Sequence, residues 1–237
     1  MSSFSFVFSL ALLALVADRA MAQSFNQKVT LYSGTDCKGS FLTFTEQYAD
    51  DLRKNGWDDF AYSARLTGVW NFYDLINYNG NSNALMEYAF GPNEFCINFN
   101  NLRARVTSLR FAGSPNDYRA NTLTLYQGTY FQGTEEYIIA SVNSIQVQKH
   151  SSLIITGQSP WTLFDQENLR GNAICVYPPD NNYTPALIFD LENINVPHDK
   201  IRSVARGCIG KKIVRAPVAT RGVSSDPSLG QHGSNWL

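Results

Sequence analysis

The chain has 237 residues, 44% of them hydrophobic and only 16% charged, so it carries enough apolar material for a buried core and is not a disordered polymer. Nineteen Lys and Arg against twenty Asp and Glu leave a net charge of -1, with no broad positive field to attract nucleic acid. Fifteen Phe, 12 Tyr and 16 Gly favour an all-β fold of short strands and tight turns over a helical bundle.

In chain order, the first element is an apolar run from Val7 to Ala17, too short to span a bilayer and followed by the small-x-small sequence Ala20-Met21-Ala22. Residues 1–22 are therefore expected to be a signal peptide, although no Lys or Arg precedes the run, and the mature, secreted chain is expected to start at Gln23. No later stretch approaches membrane length, so no membrane span is expected.

Four similar units follow. Each opens with an aromatic residue, four further residues, a bulky residue, one more and a glycine. The openings are Tyr32 with Cys37 and Gly39, Tyr73 with Tyr78 and Gly80, Tyr126 with Phe131 and Gly133, and Phe164 with Leu169 and Gly171. Each closes on a short strand phrase that starts with serine: Ser63 to Gly68, Ser108 to Gly113, Ser152 to Gly157, and the shorter Ser203 to Gly207. The serines at 63, 108, 152 and 203 are 45, 44 and 51 residues apart. Glycine at a fixed offset predicts a positive φ inside a folded hairpin, with the two bulky side chains packed over the bend.

A unit of this length accommodates four antiparallel strands in a Greek key, and two units make one sandwich. Gly113-Ser114-Pro115-Asn116-Asp117 has linker composition. The expected organisation is one domain over 23–113, a linker at 114–118, a second domain over 119–213 and a flexible tail over 214–237. Asn182-Tyr183-Thr184 is a glycosylation sequon, with Pro185 directly after it.

Four cysteines, Cys37, Cys96, Cys175 and Cys208, in a chain bound for an oxidising compartment predict two disulfides, with three pairings open. No C-x-x-C spacing points to zinc or redox chemistry. The three histidines, His150, His198 and His232, offer little to a nucleophilic triad, and there is no H-E-x-x-H, G-x-S-x-G or P-loop. The pairs Asp50-Asp51 and Glu135-Glu136 read as solvated loop or strand faces, because general acid-base work needs burial. The chain is not expected to be an enzyme.

The four aromatic-x4-bulky-x-Gly hairpins and the four strand-opening serines resemble those of the βγ-crystallin superfamily, over roughly Lys28 to Gly210. The third unit, Tyr126 to Gly133, fits best; Cys37 and Leu169 stand where the first and fourth would carry a second aromatic. The resemblance implies two Greek-key β-sandwich domains of two motifs each. With that organisation, the simplest cysteine pairing keeps Cys37 with Cys96 and Cys175 with Cys208, bridges between chains being the alternative.

The resemblance also implies Ca²⁺ binding through a six-residue stretch of two Asp or Asn, two variable residues, Ser or Thr, and the strand-opening Ser. The four stretches here, Asp58 to Ser63, Arg103 to Ser108, Val147 to Ser152 and His198 to Ser203, are all incomplete. Since each cation is implied to be held by both motifs of a domain, Asp59 is expected to meet Thr107, with Asp58 adjacent, and Asp199 to meet Ser151. The reciprocal sites would need Ala104 with Tyr62, and Gln148 with Arg202, and are expected to be dead. Ca²⁺ takes oxygen ligands, and one carboxylate per site implies weak binding, on the order of 10⁻⁴ to 10⁻³ M, up to one ion per domain. A structural or extracellular-matrix role follows, with self-association, matrix or glycan as further partners. The alternative implied by the resemblance is a defence or interaction module, such as a protease inhibitor, glycan-binding or toxin-like protein, using the tyrosine-rich loop from Tyr177 to Tyr183.

Overall fold

The structure is a computed structural model that describes residues 26–80, 84–146, 149–180 and 182–219. The expected signal peptide, Gln148 and most of the expected tail lie outside the described residues.

In the first half, β1 (Lys28–Tyr32) and β2 (Phe41–Phe44) form the opening hairpin, β3 (Tyr48–Ala49) crosses over to pair with β6 (Ser108–Phe111), and β4 (Ser63–Tyr73) returns beside β1. β4 and β5 (Met86–Asn98) are long enough to serve two sheets. Up to Leu66 β4 pairs with β1 and the end of β5; after a register shift at Gly68 it pairs with β6 and the start of β5. Gln27 secures that bulge, its Oε1 accepting from the Val69 N–H at 2.8 Å while its Nε2 donates to the carbonyls of Ala112 (2.7 Å) and Ser114 (3.0 Å). A Cβ on Gly68 would collide with the Gln27 side chain, which explains the glycine there.

The second half forms two four-stranded sheets. One runs β12 (Ala186–Ile188), β9 (Ser152–Thr156), β7 (Thr122–Tyr126), β8 (Glu135–Ile138); the other runs β13 (Ser203–Arg206), β10 (Trp161–Gln166), β11 (Arg170–Tyr177), β14 (Lys212–Arg215). β14 lies parallel to β11, and Ala216 is buried, so strand structure continues past Val214, where the sequence places the start of the tail. Both disulfides join residues of the same half: Cys37 to Cys96 and Cys175 to Cys208.

The repeated serine acts as a clamp. Ser63, Ser108, Ser152 and Ser203 accept from the N–H of the bulky hairpin residues Cys37, Tyr78, Phe131 and Leu169, at 3.0, 3.2, 3.0 and 3.0 Å. In return each donates at 2.6 Å to a carbonyl at the start of the same hairpin, on Gly34, Leu75, Gly128 and Gln166. The bulky residues have φ between 56° and 58°, and the clamp stabilises that left-handed bend. Gly39, Gly133 and Gly171 have the expected positive φ, of 91°, 76° and 80°. Gly80 does not: its φ is -57°. In that hairpin Asn79 takes the left-handed position, at φ 60°, and its side chain holds the turn by accepting from the Leu75 N–H and donating to the Leu85 carbonyl. Replacing Ser152 with alanine strands a buried donor and a buried acceptor, and is expected to cost about 1–3 kcal/mol. Urea unfolding would show this as a lower midpoint at unchanged slope; an unchanged midpoint contradicts the clamp.

Alternation along the strands sorts side chains into three clusters. On β4, Trp70 and Phe72 enter the core of the first half, while Val69 and Tyr73 point the other way. On β9, Leu153 and Ile155 enter the core of the second half, while Ile154 points out of it. The outward sets meet, with Met86, Tyr88, Phe90, Phe131 and Leu187, in a third cluster between the halves. Glu135 belongs to this junction. Its side chain is only 5% exposed and Arg110 Nε lies 3.2 Å from its Oε2, so the solvated face expected for Glu135-Glu136 is wrong for the first of the pair. The two neighbours occupy opposite faces of β8, and Glu136 accepts from the Gln146 N–H at 3.3 Å.

Candidate functional site

Two crevices carry the residues singled out for a cation. The first, of about 450 Å³, is lined by Asp58, Asp59, Asp74, Asn77 and Thr107 among others. The second, of about 430 Å³, is lined by Gly128, Thr129, Lys149, Ser151, His198 and Asp199 among others. Asn79 and Gly80 contribute to both, so the crevices meet at the hairpin between β4 and β5.

The same backbone pattern builds each crevice. A helical turn capped by Asp51 or Asp190 places Leu52 or Leu191 so that its N–H reaches the carbonyl of Thr107 or Ser151, both at 2.8 Å. Asp59 and Asp199 have left-handed φ values of 53° and 60° and donate their N–H groups to the carbonyls of Val106 and His150. The sequence-predicted pairs are thereby brought together: Asp59 and Thr107 line the first crevice, and Asp199 faces the cavity that Ser151 lines. The carboxylate of Asp199 also accepts from the His150 N–H at 3.0 Å.

Charge separates the two. In the first crevice, burial raises the Asp59 carboxyl above its ordinary range, with the Asp58 charge adding to the effect; Arg105 and the Thr107 hydroxyl oppose it. Burial likewise raises Asp74, whose Oδ2 takes Arg105 Nη2 at 3.1 Å. Asp58 Oδ1 and Asp74 Oδ1 are buried without a hydrogen-bond partner. Carboxylate oxygens left unpaired next to a carboxylate that is already hard to ionise suit a hard cation. Asp74 was not found from the sequence, since it lies outside the six-residue stretches; its position directly after the opening aromatic Tyr73 was the available signal.

In the second crevice Asp199 is the one carboxylate in the lining, and Lys149 brings a cationic group. His198 Nε2 lies 2.8 Å from Asp190 Oδ1, and ligand atoms of Asp190, Glu192 and His198 fall within 4.8 Å of one another. Asp190 Oδ1 is also the cap of the helical turn, accepting from the Glu192 N–H, so capping and the histidine contact account for this grouping. At the reciprocal positions, Tyr62 is covered by Arg103 at 5.0 Å and Arg202 Nη1 donates to the Ile201 carbonyl at 3.0 Å. His150 is fully buried, its ring nitrogens make no hydrogen bond, and burial lowers its pKa. Tyr177 and Tyr183 of the proposed contact loop lie under Arg215 and Arg119, at 5.5 and 5.1 Å.

No family model and no curated protein matches the sequence. Among solved structures, the chain is similar to Geodin, a beta-gamma crystallin from Geodia cydonium, with a TM-score of 0.59 and 23% identity over 76% of this chain and 99% of that one. The fifth crystallin domain of the non-lens protein Absent in melanoma 1 matches at a TM-score of 0.31 and 19% identity, over 37% of this chain and 87% of that one. Protein S, in a structure complexed with calcium, matches at a TM-score of 0.30 and 13% identity, over 76% of this chain and 99% of that one. The fold is that of the βγ-crystallins, in agreement with the hairpin and serine pattern of the sequence.

Proposed function

We propose that this βγ-crystallin-fold chain is a secreted, non-enzymatic protein of two domains that binds Ca²⁺ weakly, up to one ion per domain, and serves a structural or extracellular-matrix role. The observation that carries the reading is the first crevice, where Asp59 and Thr107 line one cavity with Asp58 and Asp74, each of which has a buried oxygen without a hydrogen-bond partner. Asp59, Thr107, Asp58 and Asp74 would hold the ion there, and Asp199 with Ser151 a second, weaker one. When bound, the cation would neutralise carboxylates that repel each other and join the loop before β4 to the turn after it and to the residue before β6. Secretion is supported by the N-terminal apolar run and the two disulfides, and no helix among the described residues is long and apolar enough to cross a membrane.

Thermal unfolding tests the metal directly. A ligand that binds the folded state alone stabilises it by about 1.4 kcal/mol per site at tenfold excess over the dissociation constant. Millimolar Ca²⁺ is expected to raise the melting temperature by a few degrees, about 2–4 °C per kcal/mol at this chain length. Asp59→Ala is expected to remove most of the rise and Asp199→Ala a smaller part. A melting temperature indifferent to Ca²⁺ in the wild type would remove the metal while leaving the fold intact.

A further inference from the structure

A cavity of about 400 Å³ with mainly apolar walls lies at the end of the second half, between the hairpin of β10 and β11 and the loop of residues 195–201. Its walls are Leu163, Phe164, Ile174, Val196 and Ile201, and its mouth carries Lys200 and Lys212. The first motif explains why a cavity exists here. There, the residue after the left-handed cap Gly56 is Trp57, whose N–H reaches the Leu52 carbonyl and whose ring meets Phe60 edge-on at 5.2 Å. In the fourth motif the residue after the left-handed cap Asn195 is Val196, with its N–H on the Leu191 carbonyl, and Lys200 stands at the place of Phe60. The Trp57 ring, packed against the first core, is thus replaced by an isopropyl group and the exposed Phe60 by an ammonium, and the space the indole would fill opens to solvent between apolar walls.

The charges at the mouth define what fits. Lys200 and Lys212 are exposed, and neither makes an ion pair or hydrogen bond among the described residues. Asp165 is the carboxylate in the lining, and it is already engaged: its oxygens accept from the N–H and the Nδ2 of Asn172, both at 2.7 Å. An apolar-walled cavity of ligand size with two unpaired ammonium groups at its rim matches an apolar body that ends in one negative charge. A neutral apolar molecule would leave the lysines idle, and a cation would meet them unfavourably. We propose that this cavity binds a medium-chain aliphatic carboxylate, with the chain inside and the head group between Lys200 and Lys212. The site does not depend on Ca²⁺.

The test is calorimetric titration of the full mature protein with decanoate, 1-decanol and decylamine, at submillimolar ligand and in the presence of EDTA. Decanoate is expected to bind at least tenfold more tightly than decanol, and decylamine more weakly than either. Lys200→Gln with Lys212→Gln, both on the surface, should bring decanoate to the level of decanol. Val196→Trp, which restores the ring found in the first motif, should abolish binding of all three. Equal affinity for decanoate and decanol, decanoate affinity unchanged by the lysine pair, or undiminished binding to folded Val196→Trp each overturns the proposal. If Val196→Trp fails to fold, the lysine variants decide alone.

Discussion

Arg110→Ala is expected to destabilise the protein by about 3–5 kcal/mol, because it leaves a buried carboxylate without its counter-charge. Arg110, on β6, is 1% exposed and crosses the junction between the halves. Its Nη2 donates to the Phe131 carbonyl at 2.7 Å and its Nε to the Tyr73 hydroxyl at 3.1 Å. The guanidinium sits over the rings of Tyr78, Tyr126 and Tyr73, at 4.3, 4.8 and 5.3 Å. Nε is also 3.2 Å from Glu135 Oε2, a proximity of charges more than an aligned hydrogen bond, since that oxygen has no hydrogen-bond partner. Glu135 Oε1 accepts from the Tyr48 hydroxyl at 2.8 Å and from Gln47 Nε2 at 3.2 Å. The pair therefore ties β3 and β6 of the first half to β8 and the third hairpin of the second.

The pH dependence has a definite sign. Burial raises the Glu135 pKa, opposed by Arg110 and the Tyr48 hydroxyl, and without Arg110 it rises further. A carboxyl whose folded pKa exceeds its unfolded value contributes stability below the unfolded pKa and loses it as pH rises through the folded one. The deficit of Arg110→Ala should accordingly shrink when the protein is unfolded in urea at pH 4 to 5, about the ordinary Glu pKa, instead of pH 7. Adding Glu135→Gln should recover much of the loss. A deficit below about 1 kcal/mol, or one that grows on acidification, contradicts a buried, paired charge at the junction.

Loss of the Cys37–Cys96 bridge is the second large effect. It closes a separation of 59 residues and ties the first hairpin to the part of β5 that pairs with β4 beside β1. Loop-closure entropy assigns it about 4 kcal/mol, and slightly less to Cys175–Cys208 with its separation of 33. Cys37→Ala with Cys96→Ala is expected to lower the denaturation midpoint by the corresponding amount, and reduction of the wild type to lower it more because both bridges go. A reduced protein that melts with the oxidised one would contradict stabilisation by these bridges.

What the sequence made legible was local. The four hairpins and their serines could be recognised because a left-handed bend, a clamp and a closing strand lie within one unit, where spacing encodes contact. The expectation that Asp59 meets Thr107 and Asp199 meets Ser151 came from the family resemblance, which implies that both motifs of a domain hold each cation. Arg110 and Glu135 could not be found this way. Their meeting depends on which face of the second motif packs on the third, and alternation along β8 alone does not tell an inward Glu135 from an inward Glu136. Asp74 joined the first crevice through the hairpin that follows it, and Gly80 lost its expected conformation because Asn79 supplies the turn through its own side chain. The cavity under Val196 is visible only by comparing motifs after their loops are superposed by hydrogen bonding.

Equilibrium dialysis of the mature protein against radioactive Ca²⁺ addresses the proposed function most directly. Saturable uptake in the submillimolar to millimolar range is predicted, approaching two ions per chain, with the tighter one lost in Asp59→Ala and the weaker one lost in Asp199→Ala. No saturable uptake in that range, or uptake untouched by either substitution, would mean that the crevices beside Thr107 and Ser151 are not where this protein meets a cation.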